Sequence, residues 1–284
     1  SGIDEGYWDV PDEQGNTLRK EREVFRNRAE NETALLNIVK HVGGRTDWDR
    51  ACCRAINPDL KYHMSPEFLR RVFYENIGTW KYERIKPYTI FVSQASYPIK
   101  GLHYLLDVLP IILREFPETQ VYVGGLNVIE KKPITPYGLY IKDLLSKHRL
   151  SERVTFLGRM KAEDMAVQYR SCNVFVSPST AENLSNSVAE AMFIGTPIIS
   201  SFVGGMPSYL RHYENSLMYP ETEPNLMAYY IMECFEDPKL CKTLSEGAAK
   251  TSKSGIVMGH CNERFLKVSN VSDNGYAAGD TIWI

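Results

Sequence analysis

The pattern of apolar and polar positions changes character along the chain. From Leu18 to Val39, charged residues are interrupted by apolar ones at helical spacing, as in VFRNRAENETALLNIV, which predicts an amphipathic helix. HVGGRTDWDRACCRAI reads as a strand end running into a helix, with Thr46 or Asp47 as its cap. NPDLKYHMSPEFLRRVFYENIG carries Pro58 and Pro66 and reads as a connector; TWKYERIKPY, broken by Pro87, reads as a linker.

After Tyr88 a regular rhythm sets in. Short β-rich runs (TIFVS, QVYVGG, VTFLG, VFVSPS, PIISS and NSLMY) alternate with helical segments. LHYLLDVLPIILREF, opened by Lys100-Gly101, is the first of these helices, and YGLYIKDLLSKH, AEDMAVQYRSC, NSVAEAMFIG and a short GGMPSYLRH follow. Such alternation predicts an α/β fold, a mostly parallel sheet with helices on both faces. Ligands of such sheets sit beyond the carboxyl ends of the strands, where loops feed helix N-termini. PNLMAYYIMECFED and PKLCKTLSEGAAK read as closing helices, and from Ser252 onward a Gly-, Ser- and Asn-rich stretch reads as an irregular tail.

Composition narrows the function classes. The chain has 284 residues, room for one large or two moderate domains, and a formal charge of −2 that gives no electrostatic case for nucleic acid or an anionic membrane. No apolar run approaches the ~20 residues of a membrane helix, so membrane association is at most peripheral. The start, SGIDEGYWDVPDEQGN, is acidic and polar, unlike a secretory signal. Six scattered cysteines, with no C-x-x-C pair and no histidine at zinc-finger spacing, read as buried free thiols of a cytoplasmic protein.

The candidate chemistry centres on TAENLSNSVAEAM, where Glu182 and Glu190 are separated by seven residues. Strand VFVSPS ends near Ser179, and a helix starts near Asn186 or Ser187, both good N-cap types. Glu182 then lies in the strand-to-helix loop and Glu190 about one turn into the helix. The exposed N–H groups at Asn186, Ser187 and Val188 suit an anion. A phosphate seat flanked by two hydroxyl-binding carboxylates matches a nucleotide sugar, with its ribose diol, diphosphate and sugar diols. Lys100, after strand TIFVS, adds a compact cation at the same edge. Taken alone, the pair reads more readily as a solvated loop glutamate and a surface helix glutamate; the ordered helix, stop, strand and glycine pair that follow turn the reading to the site.

With these residues in place, the segment from about Thr89 to Lys250 resembles the nucleotide-sugar-binding half of family 4 glycosyltransferases, which have the GT-B fold with a Rossmann-like donor domain. The family's E-x7-E motif matches Glu182 and Glu190, its phosphate-binding K-G pair matches Lys100-Gly101, and its glycine-rich section matches Gly195 through Gly205. HVGGRTDWDRACCRAINPDLKYH resembles the last strand and helix of the acceptor-binding half in a bacterial-type subgroup. The resemblance divides the chain into the end of an incomplete N-terminal acceptor domain with linker (1–85), a donor domain (86–255) and a tail (256–284).

The resemblance implies retaining transfer of a sugar, as in polysaccharide biosynthesis, from a nucleoside-diphosphate sugar (a UDP- or GDP-sugar foremost) to a glycan or lipid acceptor. No metal or other cofactor is implied. Glu182 would contact sugar hydroxyls and Glu190 the ribose diol. Lys100 and the helix start at Asn186–Ser187 would stabilise the leaving diphosphate, and the loop around Gly158 and Arg159 would lie by the base. Two departures stand out. Where many relatives have an arginine before the lysine, this chain has Ser93-Gln94, leaving Gln94 as a neutral donor and Arg159 as a candidate replacement cation. Only about 85 residues precede the donor half, and His41 and His63, the histidines among them, read as structural. A donor module that binds nucleotide sugar without efficient transfer, and a nucleotide-sugar epimerase, are the alternatives.

Overall fold

The computed structural model describes residues 2–65, 67–254 and 281–283. An N-terminal unit contains α1 (Leu18–Leu36), β1 (His41–Gly44), α2 (Asp47–Ile56) and β2 (Lys61–Met64). Thr46 caps α2 in a capping box: its hydroxyl accepts the Asp49 N–H, and the Asp49 carboxylate accepts the Thr46 N–H. β1 pairs in parallel with β2 on one side and with β9 (Thr281–Trp283) on the other. The end of the expected tail is thus a strand, while residues 255–280 lie outside those described. The expected connector after Ile56 also holds β2 and a short helix, α3 (Arg71–Glu75).

Beyond Tyr88 the predicted alternation holds element by element: β3 (Thr89–Val92), α4 (Leu102–Glu115), β4 (Gln120–Gly124), α5 (Pro136–Lys147), β5 (Val154–Gly158), α6 (Ala162–Ser171), β6 (Val174–Ser177), α7 (Asn186–Ile194), β7 (Ile198–Ser201), β8 (Leu217–Tyr219), α8 (Pro224–Glu236) and α9 (Pro238–Lys253). The segment GGMPSYLRH, expected as a short helix, makes a single 3-10 turn at Met206–Ser208. All pairings in the six-stranded sheet are parallel, in the order β5-β4-β3-β6-β7-β8. β3, β6 and β7 are buried along their whole length, as strands covered on both faces must be.

The order of strands locates the ligand edge. The chain builds outward from β3 through β4 to β5, then returns to β6 beside β3 and builds the other way. Right-handed crossovers put the helices of the two halves on opposite faces: α4 packs with α5 and α8, and α7 with α6 and α9. The sheet therefore reverses between β3 and β6, and the loops leaving those strands carry Lys100 and Glu182.

The end of the expected connector and the expected linker are sewn into this body. Trp80 is 2% exposed, its indole N–H donates to the Cys172 carbonyl at 2.9 Å, and its backbone N–H donates to Ile194 at 3.0 Å. Phe73, fully buried, meets Tyr169 edge to face, and Tyr74 meets Phe193 the same way. Aromatic side chains that bury this much surface anchor a segment more firmly than Pro87 loosens it.

Candidate active site

Two loops bring the lysine and the first glutamate together. After β3 the chain makes a 3-10 turn over Pro98–Lys100 and enters α4 through Gly101, at φ 72°. A Cβ on Gly101 would lie 1.8 Å from the Pro178 carbonyl oxygen, so only glycine lets the lysine loop touch the loop after β6. The Thr180 N–H donates to the Ile99 carbonyl at 2.8 Å and fastens the two loops. The Lys100 ammonium pairs with the Glu182 carboxylate, and the two side chains are 17% and 12% exposed. Ser179 donates its hydroxyl to the same carboxylate oxygen at 3.0 Å. The third loop, after β7, braces the second: the Gly205 N–H donates to the Glu182 carbonyl at 3.1 Å.

These groups border a cavity of about 20 Å³ at the sheet's switch point, whose lining includes Gln94, Lys100, Glu182, Ser185 and Ser187. The helix start differs by one residue from expectation. Ser185 is the N-cap, Asn186 the first helical residue, and no side chain caps the turn. Leu184 is buried, which turns the chain inward and leaves Ser185 as the last extended residue. Asn186 points outward and is exposed, whereas Ser187 faces the cavity. Gln94 is exposed and borders the cavity where the expected arginine is missing.

The remaining candidates lie elsewhere. Gly158 and Arg159 end β5, the edge strand two positions from β3, and Arg159 is exposed. Neither lines the cavity. His41 and His63 stack on neighbouring strands of the N-terminal sheet, ring nitrogens 2.8 Å apart, and do not line it.

Glu190 is 5% exposed and does not line the cavity. Its carboxylate accepts from the Arg70 guanidinium at 2.7 Å. The Tyr169 hydroxyl lies 3.2 Å from Glu190 and 3.0 Å from the Ser187 carbonyl, and its one proton serves one of them at a time. Burial pushes the Glu190 carboxyl above its ordinary range, with Arg70 and Tyr169 pulling in the opposite direction. Burial, with the Glu190 charge second, raises the Tyr169 hydroxyl well above its usual value.

Sequence reasoning did not find Arg70, Tyr169 or the role of Asn183. Arg70 stands in the expected connector, and Tyr169 shows only as an apolar position of a helix. Asn183 was inside the motif but between its marked residues. Its Oδ1 accepts from the Thr46 hydroxyl at 2.5 Å, and its Nδ2 donates to Asp49 at 2.6 Å.

A family model for glycosyl transferases group 1 matches residues 80–251. The chain belongs to this family. It is 26% identical over 191 residues to an uncharacterized glycosyltransferase of Methanocaldococcus jannaschii, covering 61% of this chain and 46% of that protein. Sucrose-phosphate synthase from Thermosynechococcus elongatus superposes with a TM-score of 0.72 at 22% identity, over 87% of this chain and 61% of that one. Anabaena HepE, solved in complex with UDP-glucose, superposes with a TM-score of 0.64 at 17% identity, over 82% and 64% of the two chains. These likenesses place the fold among GT-B glycosyltransferases. The matched segment spans less than half the length of the curated relatives. Among the described residues no helix is long and apolar enough to cross a membrane.

Proposed function

We propose that this glycosyltransferase binds a nucleoside-diphosphate sugar at the switch-point cavity and transfers its sugar with retention of configuration to a glycan or lipid acceptor. The observation that carries the reading is the shared cavity of Lys100, Glu182 and the first turn of α7. With Lys100 paired to Glu182 the cavity is about 20 Å³, far below the ~300–1,000 Å³ of pockets that enclose a whole ligand, so in this reading the pair parts when the donor binds. The diphosphate and the near part of the sugar are assigned to its mouth, between Lys100 and the first turn of α7, with the nucleoside extending over the ends of β4 and β5 towards Gly158.

As the bond from sugar carbon to diphosphate oxygen breaks and the acceptor hydroxyl oxygen bonds to that carbon, its proton passing to the departing phosphate, negative charge grows on the leaving phosphate and positive charge on the sugar ring. Lys100 and the amides of the first turn of α7 meet the former, so that in this reading no metal ion is needed. Glu182 accepts from sugar hydroxyls and faces the developing positive charge. The lysine, bound to Glu182 in the free protein, then turns its donors to the phosphate. Glu190 is assigned to the ribose diol, where it shares its carboxylate with Arg70.

Cytoplasmic action in a bacterial cell fits this donor class, and the five described cysteines are free thiols, with Cys52 exposed and the others buried. A second reading, donor binding without efficient transfer by this chain, rests on its partial coverage of the relatives. The test is a thermal-shift panel of UDP-, GDP- and ADP-sugars, followed by a transfer assay with the best donor. Stabilisation by one base class with measurable transfer supports the full reading. Stabilisation without transfer leaves the module reading, and no stabilisation by any donor refutes both.

A further inference from the structure

Asn183 lies between Glu182 and the cap of α7, yet its side chain turns away from the cavity and onto the N-terminal unit. Its partners are the two residues of the α2 capping box. The Thr46 hydroxyl already accepts the Asp49 N–H, so its own proton is available, and it donates to Asn183 Oδ1. The Asp49 carboxylate is 4% exposed and can only accept. One oxygen takes the Arg45 N–H at 2.9 Å and the Asn183 amide at 2.6 Å; the other takes the Thr46 N–H and the Tyr62 hydroxyl. The place therefore requires a side chain that presents an acceptor to Thr46 and a donor to Asp49. An amide does this; a carboxylate or an aliphatic side chain does not.

A separate observation shows how closely the two units are fitted here. A Cβ at Gly205 would stand 2.4 Å from the Asn183 carbonyl and 2.7 Å from the Thr46 hydroxyl. Gly205 also donates its N–H to the Glu182 carbonyl. The Glu182–Asn183 backbone is thus pressed between the start of α2 and the loop after β7. No atom of the N-terminal unit need touch the donor for its sugar end to depend on that unit.

We propose that Asn183 is the positioning residue for the sugar end of the site, taking the alignment of the Glu182 loop from the α2 capping box. The sugar assignment rests on the donor-site reading above; the alignment of the loop does not. Without the amide, the Glu182 carbonyl loses its fixed distance from Gly205, and the carboxylate its fixed bearing on Lys100. The nucleotide end, held by β3, β4 and the body of α7, keeps its geometry.

Amide hydrogen exchange on the unliganded full chain tests the alignment, and calorimetry with UDP and UDP-glucose as probes tests its consequence. Asn183→Asp sets two carboxylates against each other; it should speed exchange of the Gly205 and Ser185 amides at least tenfold. The exchanged pair, Asn183→Asp with Asp49→Asn, restores one donor facing one acceptor between the two side chains but gives up the acceptor of the Arg45 N–H, so it should recover part of the lost protection. Asn183→Ala, which adds no repulsion, guards against simple misfolding. It should cost about tenfold in UDP-glucose affinity and less than twofold in UDP affinity. Unchanged exchange in Asn183→Asp, no recovery in the exchanged pair, or equal losses for both ligands would overturn the proposal. If the wild-type chain binds neither probe, the donor reading fails for uridine nucleotides, and the exchange rates still decide the alignment.

Discussion

Removing the Arg70 guanidinium should make stability fall as pH rises. Glu190 is a carboxylate at 5% exposure whose cationic partner is Arg70, itself 51% exposed in its side chain. Arg70→Met keeps an unbranched stem over Phe73, whose ring centroid lies 5.2 Å from the guanidinium carbon, and removes only the charge and its hydrogen bond. Deleting one partner of a fully buried pair costs about 3–5 kcal/mol. With half of Arg70 in solvent, the lower figure for a hydrogen bond to a charged group applies, about 2 kcal/mol. At roughly 2–4 °C per kcal/mol, melting at pH 7.5 should drop by about 4–8 °C. The sign of the pH effect follows from the raised Glu190 carboxyl. Over the window between the unfolded and folded values, the native state holds a proton that the unfolded chain has released. Stability conferred by that proton is complete below the unfolded value, about 4.3, and is lost as pH rises through the folded one. Removing Arg70 lifts the folded value further, so the variant's deficit should be large at pH 7.5 and clearly smaller at pH 5. In a Glu190→Gln background the same substitution should cost little at either pH. Equal deficits at both pH values, or an undiminished deficit in the Glu190→Gln background, would refute the argument.

Three further outcomes are expected. Lys100→Ala should weaken UDP binding by roughly ten- to a hundredfold, the worth of one charge-assisted contact; unchanged affinity in calorimetry would move the diphosphate to another cation. Glu182→Ala should weaken UDP-glucose and spare UDP, whereas Glu190→Gln should weaken both; a silent Glu190→Gln would leave Glu190 as a clamp for Arg70 alone. Gly101→Ala meets both a left-handed backbone and the Pro178 carbonyl, and should cost well over the ~1–2 kcal/mol of the backbone term. Gly158→Ala, left-handed but in open space, should cost only that term, as chemical denaturation of the two variants would show.

The six-stranded half was legible because its strands are short, apolar and separated by helices of clear period, as β3, α4 and β6 illustrate. The E-x7-E spacing and the K-G pair could be read because both follow strand ends, and topology then puts them side by side. What the pattern could not show was contact across sequence distance. Arg70 reaches Glu190 from a stretch whose two prolines suggested a connector. The strand Lys61–Met64 hid beside them because it is exposed at its ends and shows no apolar run. Asn183 looked like loop polarity because one partner, Thr46, was already accounted for as a candidate helix cap and the other, Asp49, stood out in no pattern. Arg159 was a natural replacement cation by composition, but strand order puts it at the sheet's far edge.

The stitching of residues 73–80 into the six-stranded body redraws where the protein can be cut. A recombinant donor fragment beginning at residue 86 would discard Phe73 and Trp80, both in the same apolar core as β3 and α7. It would also strip the backbone partners from the Phe193 and Ile194 carbonyls at the end of α7. Truncating one large buried aromatic to alanine costs about 3–5 kcal/mol, and removing two approaches the whole ~5–15 kcal/mol that holds a domain together. A self-supporting fragment therefore starts no later than Leu69 and carries Arg70 with it, so Glu190 keeps its counter-ion.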